Sequence, residues 1–252
     1  MFDSIQVIIP VYNEGENILQ TLGAIESEIS APCTTFIVYD FDEDNTVPVI
    51  RELTSKSNPK NIKLTKNQYG GGALSAIRTG FDATGEGAVL VVMADYSDDL
   101  SVVDGMLAKI NQGYDIVCGS RYMKGGKQVG GPKIKKLLSR TAGLSLHLIT
   151  GIPTHDITNN FKMYRKSVLH DIEIESRDGV ELGMEIVVKA FLRGYRITEV
   201  PSIWRGRVAG KSRFRLLQWL PGYLKWYIYG IRGRLLAVTR ITKQSRTSGR
   251  ES

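Results

Sequence analysis

The chain reads as an α/β protein whose mainly parallel sheet is flanked on both faces by helices. Three observations carry that reading. Short β-rich runs alternate with stretches of helical periodicity through the first 120 residues. Several runs are apolar on consecutive residues, the pattern of strands buried on both faces. Polar and acidic residues gather directly after the runs, at the carboxyl ends where parallel sheets place ligands.

In order, Ile5–Val11, Phe36–Asp40, Ile62–Thr65 and Ala88–Ala94 read as strands, with helices over Gly15–Ile29, Val47–Ser57 and Gly71–Ala83 between them. A helix over Ser101–Asn111 and a strand over Tyr114–Gly119 complete the repeating units. Met123–Pro132 (MKGGKQVGGP) is a Gly/Lys loop. Lys133–Thr150 follows as a basic-fronted amphipathic helix, then a strand at Phe161–Arg165, a helix at Glu181–Arg193 and a strand at Tyr195–Val200. Aromatic and basic residues then alternate to about residue 241, and the polar residues 242–252 read as a disordered tail.

With 252 residues, 42% hydrophobic and 23% charged, the chain has room for one large or two small domains and is not wholly disordered. No apolar run reaches the ~18 residues of a bilayer span, and the N-terminal segment lacks a signal peptide's basic start. Two cysteines make neither a disulfide framework nor a Cys-rich zinc site. The net charge of +7 hides an asymmetry. Residues 1–120 carry 17 Asp/Glu against 7 Lys/Arg, whereas residues 121–252 carry 26 Lys/Arg against 9 Asp/Glu. A cation pocket in the first half and anionic partners for the second fit that division.

The first strand runs into Tyr12-Asn13-Glu14, the second into Asp40 to Asp44, and the fourth into Asp95 to Asp99. Oxygen ligands of this kind suit Mg²⁺ or Mn²⁺. Asp44, Asp98 and Asp99 lie within reach of helix starts and read as caps. Asp95 immediately follows its strand and reads as functional.

Seven segments now stand in one order: VIIPVYNE at 7–14, IVYDFDEDNT at 37–46, GGGALSAIRTGF from Gly70, VVMADYSDD at 91–99, CGSRYMKGG at 118–126, HDITNNFKMYRKSVL at 155–169 and GRVAGKS at 206–212. Over residues 5–215 the chain resembles family 2 glycosyltransferases of the GT-A fold, particularly the dolichyl- and polyprenyl-phosphate hexosyltransferases. The resemblance implies a GT-A domain over 1–215, with a donor and metal half at 1–120 and an acceptor half at 121–215. It also implies inverting transfer of a hexose, of mannose or glucose type, from a GDP- or UDP-sugar to a polyprenyl or dolichyl phosphate.

Residue by residue, Pro10, Tyr12, Glu14, Asp40, Gly70 and Gly72 match the nucleotide-sugar segments. Asp95 matches the last Asp of the metal-holding Asp-X-Asp element, with Ser97 a supplementary ligand for Mg²⁺ or Mn²⁺. Arg121, Lys135, Ser139 and Arg207 match the acceptor-phosphate elements, Lys136 being an alternative to Lys135. Asp156 is a base, a group positioning the sugar, or an Asx-type loop cap; His155 beside it reads as incidental. A lipid phosphate is already anionic, so its attack on the sugar needs cations that hold two phosphates together more than it needs a strong base.

Two departures stand out: Tyr39 and Met93 occupy positions where the family often has Asp. They leave open a weaker metal site, another sugar specificity, or a non-catalytic membrane-bound sugar-nucleotide sensor. Another lipid-linked or polysaccharide acceptor is a further alternative. Residues 203–252 hold 12 Lys/Arg and one acidic residue. Trp219, Tyr223, Trp226, Tyr227 and Tyr229 lie among them, so residues 216–241 read as amphipathic helices at an anionic membrane surface, with Pro221 opening or kinking one. Core packing of the aromatics is the alternative. The implied location is peripheral, on the cytoplasmic face of a membrane. Nucleic-acid binding is disfavoured, because no reading motif is present and the acidic half would repel a phosphate backbone. A nicotinamide-dependent dehydrogenase is disfavoured by the lack of G-x-G-x-x-G after the first strand.

Overall fold

The computed structural model describes residues 1–57, 61–176, 181–206 and 216–248. Elements are numbered in chain order. β1 (Ile5–Val11), β2 (Cys33–Tyr39), β3 (Ile62–Lys66), β4 (Ala88–Val91), β5 (Ile116–Ser120), β7 (Lys162–Arg165) and β8 (Ile197–Pro201) form one sheet in the order β3-β2-β1-β4-β7-β5-β8. All pairings are parallel except those of β7, which runs antiparallel to both β4 and β5. β6 (Lys127–Val129) and β9 (Ile203–Arg205) pair separately as a parallel ribbon.

The continuous apolar runs follow from helices on both faces of the sheet. Ile5, Val7 and Ile9 of β1 pack with α1 (Ile18–Glu28), α2 (Thr46–Ser57) and α4 (Val103–Asn111). Ile8, between them, points to the opposite face, with α3 (Ala73–Ala83), α5 (Lys133–Thr150), α7 (Leu182–Leu192) and α8 (Leu216–Ser248). Alternate residues of one strand therefore serve two cores, and neither set can be polar. α6 (Lys166–Asp171) is a short helix directly after β7.

Four differences from the sequence reading have physical causes. β4 ends at Val91, three residues early, because Val92–Ala94 leave the ladder to form the turn that carries Asp95. β6 and β9 are each three residues long, too short to give a period-2 signal. The C-terminal region is one long helix, with Pro221 inside it rather than at its start, and it runs to Ser248 through most of the expected tail. Finally, Trp226 is a core residue: it is 1% exposed, donates its Nε1–H to Ser176 Oγ at 2.8 Å, and lies beneath the Lys189 ammonium, 4.8 Å from the ring centre. The core alternative holds for that residue. α8 nonetheless exposes Leu220, Leu224, Ile228 and Leu235, among the exposed cations Lys225, Arg232 and Arg234.

Candidate active site

The loops at the carboxyl ends of β1, β2 and β4 meet on one edge of the sheet, and buried side chains tie them together. Asp44 is fully buried and accepts hydrogen bonds from Asn13 N at 2.9 Å and Thr46 N at 2.8 Å. It thus caps the start of α2 and also clamps the loop after β1, where Asn13 takes a left-handed φ of 54°. Glu14 is buried beside Asn17, whose Nδ2 donates to Glu14 Oε2 at 2.7 Å. Pro10 is buried in β1. Tyr12 is exposed, its ring packed edge-on against Phe41 at 5.3 Å. Asp40 organises the glycine turn: Gly72 N donates to its Oδ2 at 2.8 Å and Asn67 Nδ2 to its Oδ1 at 2.7 Å. Gly72 has a φ of 103°, which a side chain would strain, so the turn that opens α3 needs glycine. Gly70 lies in the same exposed loop. Tyr39 is buried in the core at the end of β2.

After β4 the chain turns through Asp95, which is half-buried. Ser97 lies beneath it, 2% exposed, and its N–H donates to Asp95 Oδ1 at 3.3 Å. Asp98 is the residue that sequence reasoning misplaced. Instead of capping the next helix, its buried carboxylate reaches back to accept the Met93 N–H at 2.9 Å. Burial is the main influence on Asp98 and pushes its pKa up to about 7; the Met93 hydrogen bond opposes that and the Asp95 charge adds to it. Nothing in the local sequence distinguishes this geometry from a cap, because only the packing around β4 decides it. Asp99 links elements too, accepting from Ser101 Oγ at 2.6 Å and from Ile203 N at 2.9 Å.

Arg121 stands at the end of β5, and Asp156 holds it. Arg121 Nε donates to Asp156 Oδ2 at 2.6 Å, Nη2 to Oδ1 at 2.8 Å, and the Arg121 backbone N–H to Oδ2 at 3.0 Å. This bidentate pair is almost wholly buried. Burial alone would raise the Asp156 pKa, but the Arg121 charge and hydrogen bonds outweigh it and hold the carboxyl below the usual carboxylate range. A carboxylate so held is a poor proton acceptor. The geometry gives Asp156 the work of orienting Arg121, a role that reading the sequence did not weigh. Thr158 Oγ1 accepts a further bond from Nη2 at 3.1 Å.

Lys135, in the first turn of α5, completes a group with Arg121 and Asp95. Burial, and then the Arg121 charge, lower its pKa to about 8, with Asp95 partly opposing them. Ser139 lies one turn on, hydrogen-bonded to Tyr122 Oη, which also donates to Gln128 Oε1 at 3.0 Å. Tyr122 is a second residue missed from the sequence; its ring lies 4.9 Å from the Arg121 guanidinium carbon. Lys136, the alternative to Lys135, points to Gln128 O at 3.1 Å. Arg207 lies outside the described residues.

Among the described residues, no group of three or more His, Cys, Asp or Glu side chains could hold a metal ion. Asp95 alone presents a half-exposed carboxylate beside the two cations. Such a donor set fits an Mg²⁺ or Mn²⁺ ion held by one protein carboxylate together with substrate phosphates and water. It does not fit a resident all-protein site.

The family model described as Glycosyl transferase family 2 matches residues 6–173. Among curated relatives, the dolichol-phosphate mannosyltransferase of Pyrococcus furiosus is 30% identical, over 92% of this chain and 70% of its own. The polyprenol monophosphomannose synthase of Mycolicibacterium smegmatis is 27% identical, over 91% of this chain and 88% of its own. The dolichyl-phosphate hexose transferase of Haloferax volcanii is 27% identical, over 84% and 87%. Among solved structures, glucosyl-3-phosphoglycerate synthase of Mycobacterium tuberculosis, in complex with Mn²⁺, UDP and its product, superposes with a TM-score of 0.62. It is 16% identical, covering 92% of this chain and 80% of its own, and establishes a shared fold.

Proposed function

Because the chain belongs to glycosyl transferase family 2 and has the GT-A fold, we propose that it moves a hexose from a GDP- or UDP-sugar to a polyprenyl phosphate, with inversion at the sugar. The observation that carries this reading is the convergence of Arg121 and Lys135 near Asp95, at the head of an amphipathic helix with an exposed apolar side. Two cations beside one carboxylate suit two phosphates, one arriving with the acceptor and one leaving with the donor. Asp95 holds the divalent ion, which neutralises the departing diphosphate when bound. Pro10, Tyr12, Glu14, Asp40, Gly70 and Gly72 line the nucleotide side, and Arg207 joins the acceptor side. The names of the relatives support the acceptor class.

The lipid acceptor places the working protein at a bilayer, and the surface supports that. Ile134, Leu137, Leu138 and Leu148 of α5 are exposed, as are Leu220, Leu224, Ile228 and Leu235 of α8, and neither helix contains an acidic residue. No helix among the described residues is long and apolar enough to cross a membrane. We place the protein peripherally, on the cytoplasmic face and against anionic lipid, where each cation near the surface contributes ~1 kcal/mol.

The test is incubation of the purified protein with a panel of GDP- and UDP-sugars, polyprenyl phosphate and Mn²⁺ or Mg²⁺, reading glycosylated lipid by mass spectrometry. Product from one donor, lost on chelation, supports the reading. Nucleotide-sugar binding without product from any donor moves the protein to the sensor reading, which Met93 in place of a carboxylate favours.

A further inference from the structure

Behind Arg121 lies a second layer of hydrogen bonds to which nothing above assigns work. Its centre is Glu199, in the middle of β8, with a side chain 9% exposed. The Glu199 carboxylate accepts from Thr154 Oγ1 at 3.1 Å, from the His155 backbone N–H at 2.8 Å, and from the His155 ring. Thr154, 1% exposed, uses the same hydroxyl to accept the Asp156 N–H at 3.2 Å. Asp156 then grips Arg121 through three bonds.

The turn at 154–156 is therefore held at its back by one carboxylate and presents another at its front. α5 closes the remaining side. A Cβ at Gly143 would collide with the His155 carbonyl oxygen, so the helix backbone rests directly on the turn. His147 of α5 lies against the His155 ring at 4.2 Å and bonds Ile152 O at 2.7 Å.

We propose that Glu199 is a positioning residue for the transfer reaction. It acts through Thr154 and Asp156 to fix the orientation of the Arg121 guanidinium. The catalytic part rests on the role given to Arg121 above; the positional part rests on this geometry alone. Glu199 touches neither Arg121 nor the cleft around Asp95, so a loss of function on its alteration has to travel through the turn. Replacing it with Met, which has no side-chain oxygen, leaves Thr154 Oγ1 and the His155 N–H short of an acceptor. Thr154 is then free to turn away from Asp156, and small displacements of a phosphate-holding group are costly in rate.

Two readouts test this on the full-length protein. The first is the Arg121 Nε–H resonance, assigned by its loss in Arg121→Lys. It is expected at a shifted, slowly exchanging position in wild type, to broaden or move in Glu199→Met and Thr154→Val, and to return in Thr154→Ser, which keeps the hydroxyl. The second is transfer from the donor chosen by the panel to polyprenyl phosphate. Glu199→Met and Thr154→Val are each expected to lower kcat/KM for the acceptor by about 10-fold or more. Donor KM should stay within about twofold, and Thr154→Ser should restore the rate. If Glu199→Met fails to fold, Glu199→Asp, one methylene shorter, carries the same expectation.

An unmoved Nε–H signal in folded variants, or a Thr154→Ser protein as impaired as Thr154→Val, overturns the positional link. A normal acceptor rate in Arg121→Ala overturns the role of Arg121 and leaves the resonance to judge the link by itself.

Discussion

Asp98 offers a test of what burial costs at this site. In the native protein its pKa is raised from 3.8 to about 7, with burial the largest cause. A raised carboxylate makes the native state hold a proton that the unfolded chain has released. Stability therefore falls as pH rises from ~4 to ~7, by ~1.4 kcal/mol per unit, and is flat above that. The full penalty is about 4 kcal/mol at pH 8, and about 1–2 kcal/mol of it is already present at pH 5. Asp98→Asn removes the charge while its side-chain oxygen still accepts the Met93 N–H. Unfolding free energies from urea melts of both proteins, in EDTA at pH 5, 6, 7 and 8, isolate the effect. The advantage of the variant over wild type should grow by about 2–3 kcal/mol across that range. Any constant cost of the substitution cancels in the difference. A gap that stays flat from pH 5 to pH 8 would falsify the assignment and mean that Asp98 is ionised throughout, with Arg121 offsetting its burial.

Three further outcomes follow from the geometry. The kcat/KM for acceptor should decline above pH ~8 as Lys135 loses its proton, and Lys135→Arg should move that limb upward; a limb unchanged by the substitution assigns it to another group. Asp95→Asn should remove metal-dependent transfer while leaving the urea midpoint nearly unchanged, and persistence of wild-type turnover at limiting Mn²⁺ refutes its role as ligand. Trp226→Ala should destabilise the fold by about 3–5 kcal/mol, as large-to-small core changes do. By contrast, Leu137→Ser with Leu224→Ser should leave the melt nearly unchanged and reduce the salt-resistant part of binding to anionic vesicles in flotation. If the Trp226 variant instead melts like wild type and loses vesicle binding, the burial of that ring is wrong.

The alternating elements of the first half were legible because the strands inside the sheet, β1, β2 and β4, are buried on both faces and the helices on one, so sequence periodicity and packing agree. Asp95 reads in sequence as directly following its strand, whereas the strand ends at Val91 and Asp95 sits in the turn beyond it. What escaped was non-local. Whether Asp98 reaches forward to a helix or back to Met93 depends on the turn after Val91 leaving the sheet. The Asp156–Arg121 pair spans 35 residues, and Asp156–Thr154–Glu199 joins a loop to a strand more than 40 residues away. Trp226 was misplaced because aromatic residues among cations have the same composition at a bilayer and against a lysine-lined core. The helix itself shows both, with Trp226 inward and Leu224 and Ile228 outward.

The position of β7 has a consequence for how the chain assembles as it is made. β4 is finished at Val91, but its neighbour on the far side is not β5, the next strand of the sheet in the sequence; it is β7, supplied by residues 162–165. Until those residues leave the ribosome, the four-stranded unit β3-β2-β1-β4 has an open edge, and β5 has no place in the sheet. β7 then closes both gaps at once, pairing Val89 with Tyr164 and Ile116 with the same residue. A chain of which only about the first 120 to 160 residues have emerged would present a folded first half with an unpaired apolar strand at its border, the state most open to mispairing or to capture by a chaperone. The second half cannot fold first and wait, because the strand that seats it is also the one that completes the first.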